Sequence, residues 1–211
     1  MKRLFLASEA KHPDSFEKLR ELVGGFDGKK IVYIPTAANG EGWHSWDREG
    51  GTWKLVNSTK AQVDTIELED YGAAERFEEL YEKVRQSDLV WFAGGYCGYL
   101  LYWIRRAKLN QKLSDILEDG PVYVGSSAGS MIAGTSIDAA SWLPGDEEFG
   151  AEVFPALGLV DLNIFPHFED DKLDVIKQKV KDKPLYLLKN GEAIIVEGDV
   201  VKVFGETRTI N

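Results

Sequence analysis

Residues 121–134 read "PVYVGSSAGSMIAG", a run of strand formers followed at once by three serines and three glycines. A serine held on a sharp turn between a strand and a helix needs glycine two residues before and two residues after it. Side chains at those positions would collide with the neighbouring backbone. Gly125-Ser126-Ser127-Ala128-Gly129 meets this requirement for Ser127 alone, because Ser126 is flanked by Val124 and Ala128, and Ser130 by Ala128 and Ile132. The segment therefore predicts a buried strand, a tight elbow carrying Ser127, and a helix starting near Ala128. Glycine-rich turns of this kind also bind phosphates or simply pack tightly, so the motif alone leaves the role of Ser127 open.

Outward from this elbow, short β-rich runs alternate with longer amphipathic ones. "RLFLAS" (3–8), "KKIVYIPTA" (29–37), "QVDTIEL" (62–68), "DLVWFAGG" (88–95) and "PVYVGS" (121–126) read as strands, several of them continuously apolar as buried parallel strands are. "HPDSFEKLRELVGG" (12–25) reads as a helix capped by Asp14 or Ser15, and "GAAERFEELYEKVRQ" (72–86) as another. Residues 98–120 supply one or two more, and a Gly- and Trp-rich loop at 38–54 leads into a short one. The tail changes character: "NIFPHF" (163–168) is a short strand, "DDKLDVIKQKV" (170–180) a helix, and "EAIIVEGDVVKVF" (192–204) a hairpin turning at Gly198 and Asp199. The expected fold is α/β: a three-layer αβα sandwich with a mostly parallel sheet and a C-terminal antiparallel hairpin, built as a single domain over residues 1–211. In such sheets ligands bind beyond the carboxyl ends of the strands.

Composition narrows the function. The formal net charge is −10, with no basic stripe to offset it, so nucleic acid and anionic membrane surfaces are not expected partners. One cysteine and three histidines leave no cysteine framework and little for a metal centre, so neither a metal nor a cofactor is expected. The opening residues are too polar for a signal-peptide core or a membrane span, and a cytoplasmic location is expected.

Two further stretches sit where the fold would bring them to Ser127. In "FAGGYCGYL" (92–100), Gly94 and Gly95 at a strand end leave backbone amides free to approach a substrate carbonyl beside the Ala128 N–H, as an oxyanion hole requires. In "NIFPHFEDD" (163–171), His167 follows a strand and a stiffening proline, whereas His12 and His44 lie away from strand carboxyl ends. The acidic run Glu169, Asp170 and Asp171 reads as a solvated helix start. Cys97 is a competing nucleophile with no elbow around it, and the tryptophans of the 42–53 loop are either a substrate wall or a core cap.

Together "LFLAS", "IVYIPTA", "FAGG", "GSSAGSMIAG", "PHF" and "LLKNGEAIIV" resemble the peptidase E and cyanophycinase-like serine peptidases, relatives of the class I glutamine amidotransferase fold. The resemblance implies Ser127 as nucleophile, His167 as general base, and an oxyanion hole from Gly94 or Gly95 with Ala128. It departs from peptidase E at the oxyanion loop, where Tyr96-Cys97 replaces an Asn-Thr pair. After His167 the loop is short, acidic and free of arginine, so strict preference for an N-terminal aspartate is not implied. The family's late acidic position aligns with Asn190, and Glu192 stands two residues on. Alternation along a strand cannot separate residues two apart, but a turn at Gly191 could. Carboxylate chemistry favours Glu192 as the orienting group and alignment favours Asn190; the reading adopted is Glu192. The expected activity is hydrolysis of short peptides, as an aminopeptidase or dipeptidase, with a homodimer left open. The alternatives are a non-catalytic binding protein on the same fold and an esterase or amidase using the same apparatus.

Overall fold

The structure, a computed structural model, describes residues 1–42, 51–143, 148, 155–180 and 184–210. Strands β1 (Arg3–Ala7), β2 (Lys30–Ile34), β3 (Gln62–Thr65), β4 (Leu89–Phe92) and β5 (Val122–Ser126) run parallel in one sheet. Beyond β1 the hairpin of β8 (Ala193–Glu197) and β9 (Val200–Phe204) continues it antiparallel, giving the order β3-β2-β4-β5-β1-β8-β9. The hairpin turns at Gly198 and Asp199 as its sequence indicates, with Glu197 facing Val200. A second sheet is not legible as such in the sequence: β6 (Asn163–Phe165) pairs parallel with β7 (Leu185–Leu187), which pairs antiparallel with β10 (Thr209–Ile210). The tail strand at "NIFPHF" thus exists, but joins this small sheet and not the main one.

Period-two alternation divides the main sheet into two apolar faces. Leu4, Leu6, Val32, Ile34, Val90, Phe92, Tyr123, Ile194 and Val196 face one side. There they pack against α4 (Phe77–Arg85), α5 (Cys97–Arg106), α6 (Leu113–Glu118) and α7 (Ala128–Met131), through residues such as Leu80, Leu101, Leu117 and Met131. Phe5, Ala7, Ile31, Tyr33, Leu89, Trp91, Val124 and Ile195 face the other, against Leu19 of α1 (Pro13–Val23) and Val56 of α3 (Gly51–Ser58). Every residue of β4 and β5 is buried, which is why those strands read as unbroken apolar runs.

Helix α1 begins earlier than its expected cap. His12 is the N-cap, accepting from the Asp14 N–H at 3.4 Å through Nδ1, and Pro13 takes the first turn where its missing N–H costs nothing. Asp14 lies in the first turn and Ser15 is buried. The tryptophan loop falls largely outside the described residues, His44 included. Its one described tryptophan, Trp53, packs under the α1/α3 face and donates from Nε1 to Thr65 Oγ1 at 3.1 Å, so it caps a core. The acidic run starts a helix as read: Asp170–Lys172 form a 3-10 turn leading into α8 (Leu173–Lys179), and Asp170 pairs with Lys189 at 2.6 Å.

Candidate active site

The elbow after β5 has the geometry its glycines demand. Ser127 adopts φ 50°, ψ −112°, a strained conformation for a residue with a side chain. A Cβ on Gly125 would lie 2.6 Å from the Gly129 carbonyl oxygen, and one on Gly129 would lie 2.2 Å from that of Phe92, so neither position admits a side chain. The other two serines tie the elbow down. Ser126 Oγ accepts from the Ala10 N–H at 3.0 Å, and Ser130 Oγ donates to the Ala7 carbonyl at 2.7 Å. The Ser127 N–H itself is shared between the carbonyls of Ala7 and Ser8, each at 3.1 Å. These bonds hold β5 to the end of β1 and leave the Ser127 side chain facing the crevice.

His167 reaches that side chain. Its Nε2 lies 2.9 Å from Ser127 Oγ, and its Nδ1 lies 2.7 Å from Asn190 Oδ1. The backbone at His167 is left-handed, φ 53°, directly after the buried Pro166. It is pinned by a 2.8 Å bond from its N–H to Ser8 Oγ, while Phe168 N–H donates to the Leu188 carbonyl at 3.0 Å. Ser8 Oγ in turn donates to Asn190 Oδ1 at 3.1 Å. An amide oxygen only accepts, so Nδ1 carries the imidazole proton and Nε2 presents a lone pair to the Ser127 hydroxyl. Ser8, fully buried at the carboxyl end of β1, was missed from the sequence. Its signal was its place, the first residue past a central strand.

Glu192 does not come to His167. Gly191, at φ 94°, and a 3.0 Å bond from Glu192 N–H to the Lys189 carbonyl make a tight turn over residues 189–192. That turn breaks the strand alternation, aiming Asn190 at the imidazole and Glu192 away. The Glu192 carboxylate pairs with Arg208 at 2.7 Å and accepts from the N–H groups of Lys189 and Glu206 at 2.8 and 3.1 Å. It fastens the turn to the C-terminal segment.

Gly94 and Gly95 lie opposite the elbow. A Cβ on Gly94 would sit 3.3 Å from Ser127 Cβ, and one on Gly95, where φ is 131°, would sit 2.2 Å from the Ala37 carbonyl. Among the described residues, neither the Gly95 nor the Ala128 N–H has a backbone acceptor. Both residues line a cleft of about 360 Å³ with Ser127 and His167. The lining is apolar at Met131, Ala139, Ala140, Leu143 and Phe165 and acidic at Glu41 and Glu148. Glu148 Oε2 accepts from the Gly98 N–H at 3.1 Å in the first turn of α5. Desolvation pushes its carboxyl up to about 7, and Glu41 is also raised by desolvation. Cys97 is fully buried with its thiol 3.7 Å from Met131 Sδ. Burial, followed by the nearby Glu148 charge, pushes the thiol well above its ordinary value, the opposite of what a nucleophilic thiolate needs. Among the described residues no group of three or more His, Cys, Asp or Glu is placed to hold a metal ion, and no helix is long and apolar enough to cross a membrane.

A serine on a strand-to-helix elbow, with an imidazole lone pair 2.9 Å from its hydroxyl at the carboxyl edge of an α/β sheet, is an arrangement found in hydrolases. The family model for peptidase family S51 matches residues 4–204, and the chain belongs to that family. An uncharacterized peptidase of Pasteurella multocida (strain Pm70) is 28% identical over 211 residues, covering 97% of this chain and 98% of that protein. A peptidase E of Actinobacillus pleuropneumoniae serotype 5b (strain L20) is 24% identical over 221 residues, covering 100% of this chain and 89% of its own. The crystal structure of a candidate peptidase E protein from Listeria monocytogenes EGD-e superposes with a TM-score of 0.77 at 25% identity, covering 97% of this chain and 98% of that one.

Proposed function

We propose that the protein is a serine peptidase that hydrolyses short peptides, of aminopeptidase or dipeptidase type, through an acyl-enzyme on Ser127. The observation that carries this reading is the chain Ser127 Oγ, His167 Nε2, His167 Nδ1, Asn190 Oδ1, with links of 2.9 and 2.7 Å on either side of the ring. Ser127 Oγ attacks the peptide carbonyl as His167 Nε2 takes its proton. Asn190 Oδ1 keeps the ring in the tautomer that can accept, and its dipole faces the imidazolium that forms. The N–H groups of Gly95 and Ala128, neither with a backbone acceptor among the described residues, serve the developing oxyanion, with Gly94 packed against the Ser127 Cβ. His167 then returns the proton to the leaving amine, and water activated by the same nitrogen cleaves the ester. Ser8 is a positioning residue, since it holds both the His167 backbone and Asn190.

Incubation of the purified protein with a dipeptide and tripeptide library, followed by mass spectrometry, tests the reading. Cleavage products should appear with the wild-type chain and be absent with Ser127→Ala. Release of acyl groups from simple esters with no peptide cleaved would replace the peptidase by an esterase, and turnover surviving in Ser127→Ala would remove the serine from the mechanism.

A further inference from the structure

The acidic part of the cleft lining has no counterpart in the chemistry above. Acyl transfer from Ser127 uses a hydroxyl, an imidazole, an amide oxygen and backbone N–H groups; it has no task for Glu41 or Glu148. Several carboxylates elsewhere on this acidic chain sit beside cations. Glu17 pairs with Arg20, Glu21 with Lys18, Asp64 with Lys83, Glu192 with Arg208 and Glu197 with Lys202. The described lining of the cleft contains no lysine or arginine.

Two carboxylates lining one partly dehydrated cleft are costly as a charged pair unless one takes a proton or a cation joins them. Both line the same cleft, where the Glu41 charge adds a small upward push to the Glu148 carboxyl. One Glu148 oxygen is engaged by the Gly98 N–H, which fixes the side chain at the start of α5 while it lines the cleft with Ser127. Glu41 is the residue that ends α2 (Thr36–Gly40), so it too is positioned by a helix terminus. Met131, Leu143 and Phe165 in the same lining suit an aliphatic stem.

We infer that Glu41 and Glu148 form a specificity subsite that receives a cationic group of the peptide next to the scissile bond. The group is the ammonium or guanidinium of a basic side chain, or the peptide's free α-ammonium; both offer the same charge-assisted hydrogen bonds. This inference rests on the peptidase reading, and its test reads binding so that the two can fail separately.

The Ser127→Ala protein, which leaves peptides intact, is titrated calorimetrically with lysyl-leucine, norleucyl-leucine and N-acetyl-norleucyl-leucine. These carry two cationic groups, one and none at similar length. The acetylated peptide should bind about tenfold or more weakly than lysyl-leucine. A loss between lysyl and norleucyl assigns the side chain, and a loss on acetylation assigns the α-ammonium. Glu148→Gln and Glu41→Gln, each added to Ser127→Ala, should remove most of that preference. Glu41→Gln guards against a folding effect of removing the Glu148 bond to α5. Equal affinity for all three peptides, binding of none of them, or a preference untouched by both glutamine variants overturns the inference. Cleavage of the dipeptide and tripeptide library by the wild-type chain then decides whether the peptidase reading falls with it.

Discussion

At the scale of single residues, the choice between Asn190 and Glu192 shows how chemistry and geometry can point apart. A carboxylate would stabilise an imidazolium better than an amide, which made Glu192 the adopted expectation; the turn at Gly191 gives the imidazole to Asn190 and gives Glu192 to Arg208. The two residues should therefore separate in their effects. Asn190→Ala removes the acceptor that fixes the His167 tautomer and should lower kcat by about 10²-fold, with the melting temperature nearly unchanged. Glu192→Ala leaves the mostly buried Arg208 without its principal partner and should cost about 2 kcal/mol of stability, while kcat of the folded protein holds. Steady-state kinetics with thermal melts of both variants checks this, and the reverse ranking would return the orienting role to Glu192. Ser127 and His167 were legible because a motif and a strand end marked them. Ser8 and Asn190 were harder to place, because a small polar residue past a strand acquires meaning only when a second loop arrives beside it.

At the scale of elements, the β5–α7 elbow is tightly constrained. Its glycines exist so that backbone can lie against backbone: a methyl on Gly129 would meet the Phe92 carbonyl at 2.2 Å, and no flexible side chain is there to yield. Gly129→Ala should destabilise the protein by about 2–3 kcal/mol or more, read as a lowered denaturant midpoint. A wild-type midpoint would mean that the elbow can open. The α2 region carries a second constraint. Burial pushes the Glu67 carboxyl up to about 7 from an ordinary 4.5, against the Asn39 amide that donates to its Oε2 at 2.6 Å. Its Oε1 is buried without a hydrogen-bond partner among the described residues, an acceptor that protonation would relieve. A carboxyl whose folded value is raised binds its proton more tightly when folded. Its stabilising contribution is complete below about 4.5 and is lost as pH climbs through about 7. The melting temperature of the wild type should thus fall relative to Glu67→Gln between pH 5 and pH 8. A constant difference across that range would place the titration elsewhere.

At the scale of the whole molecule, the main sheet was legible because its strands are long enough to show their pattern. β1, β2, β4 and β5 are largely apolar runs of four or five residues, and the β8–β9 hairpin announces itself at Gly198-Asp199. The second sheet was not, since β7 has three residues and β10 two, below the length at which any period can be counted. Yet that small sheet does the work of delivery: β6 leads into Pro166 and His167, and β7 leads into the turn bearing Asn190. The main sheet supplies Ser8, Gly94, Gly95 and Ser127 from the carboxyl ends of β1, β4 and β5, so the candidate site lies where the two sheets meet. The acidic part of the cleft was hidden for a related reason, because residues 41 and 148 are far apart in the chain and each reads alone as an ordinary surface glutamate.

The proposed mechanism requires Ser127 as the covalent nucleophile, and intact-mass measurement after exposure to a fluorophosphonate tests this directly. The wild-type chain should gain the mass of one phosphonyl adduct, as should Ser126→Ala and Cys97→Ala, and Ser127→Ala should gain none. An adduct that persists in Ser127→Ala, or that disappears in Cys97→Ala, would contradict it.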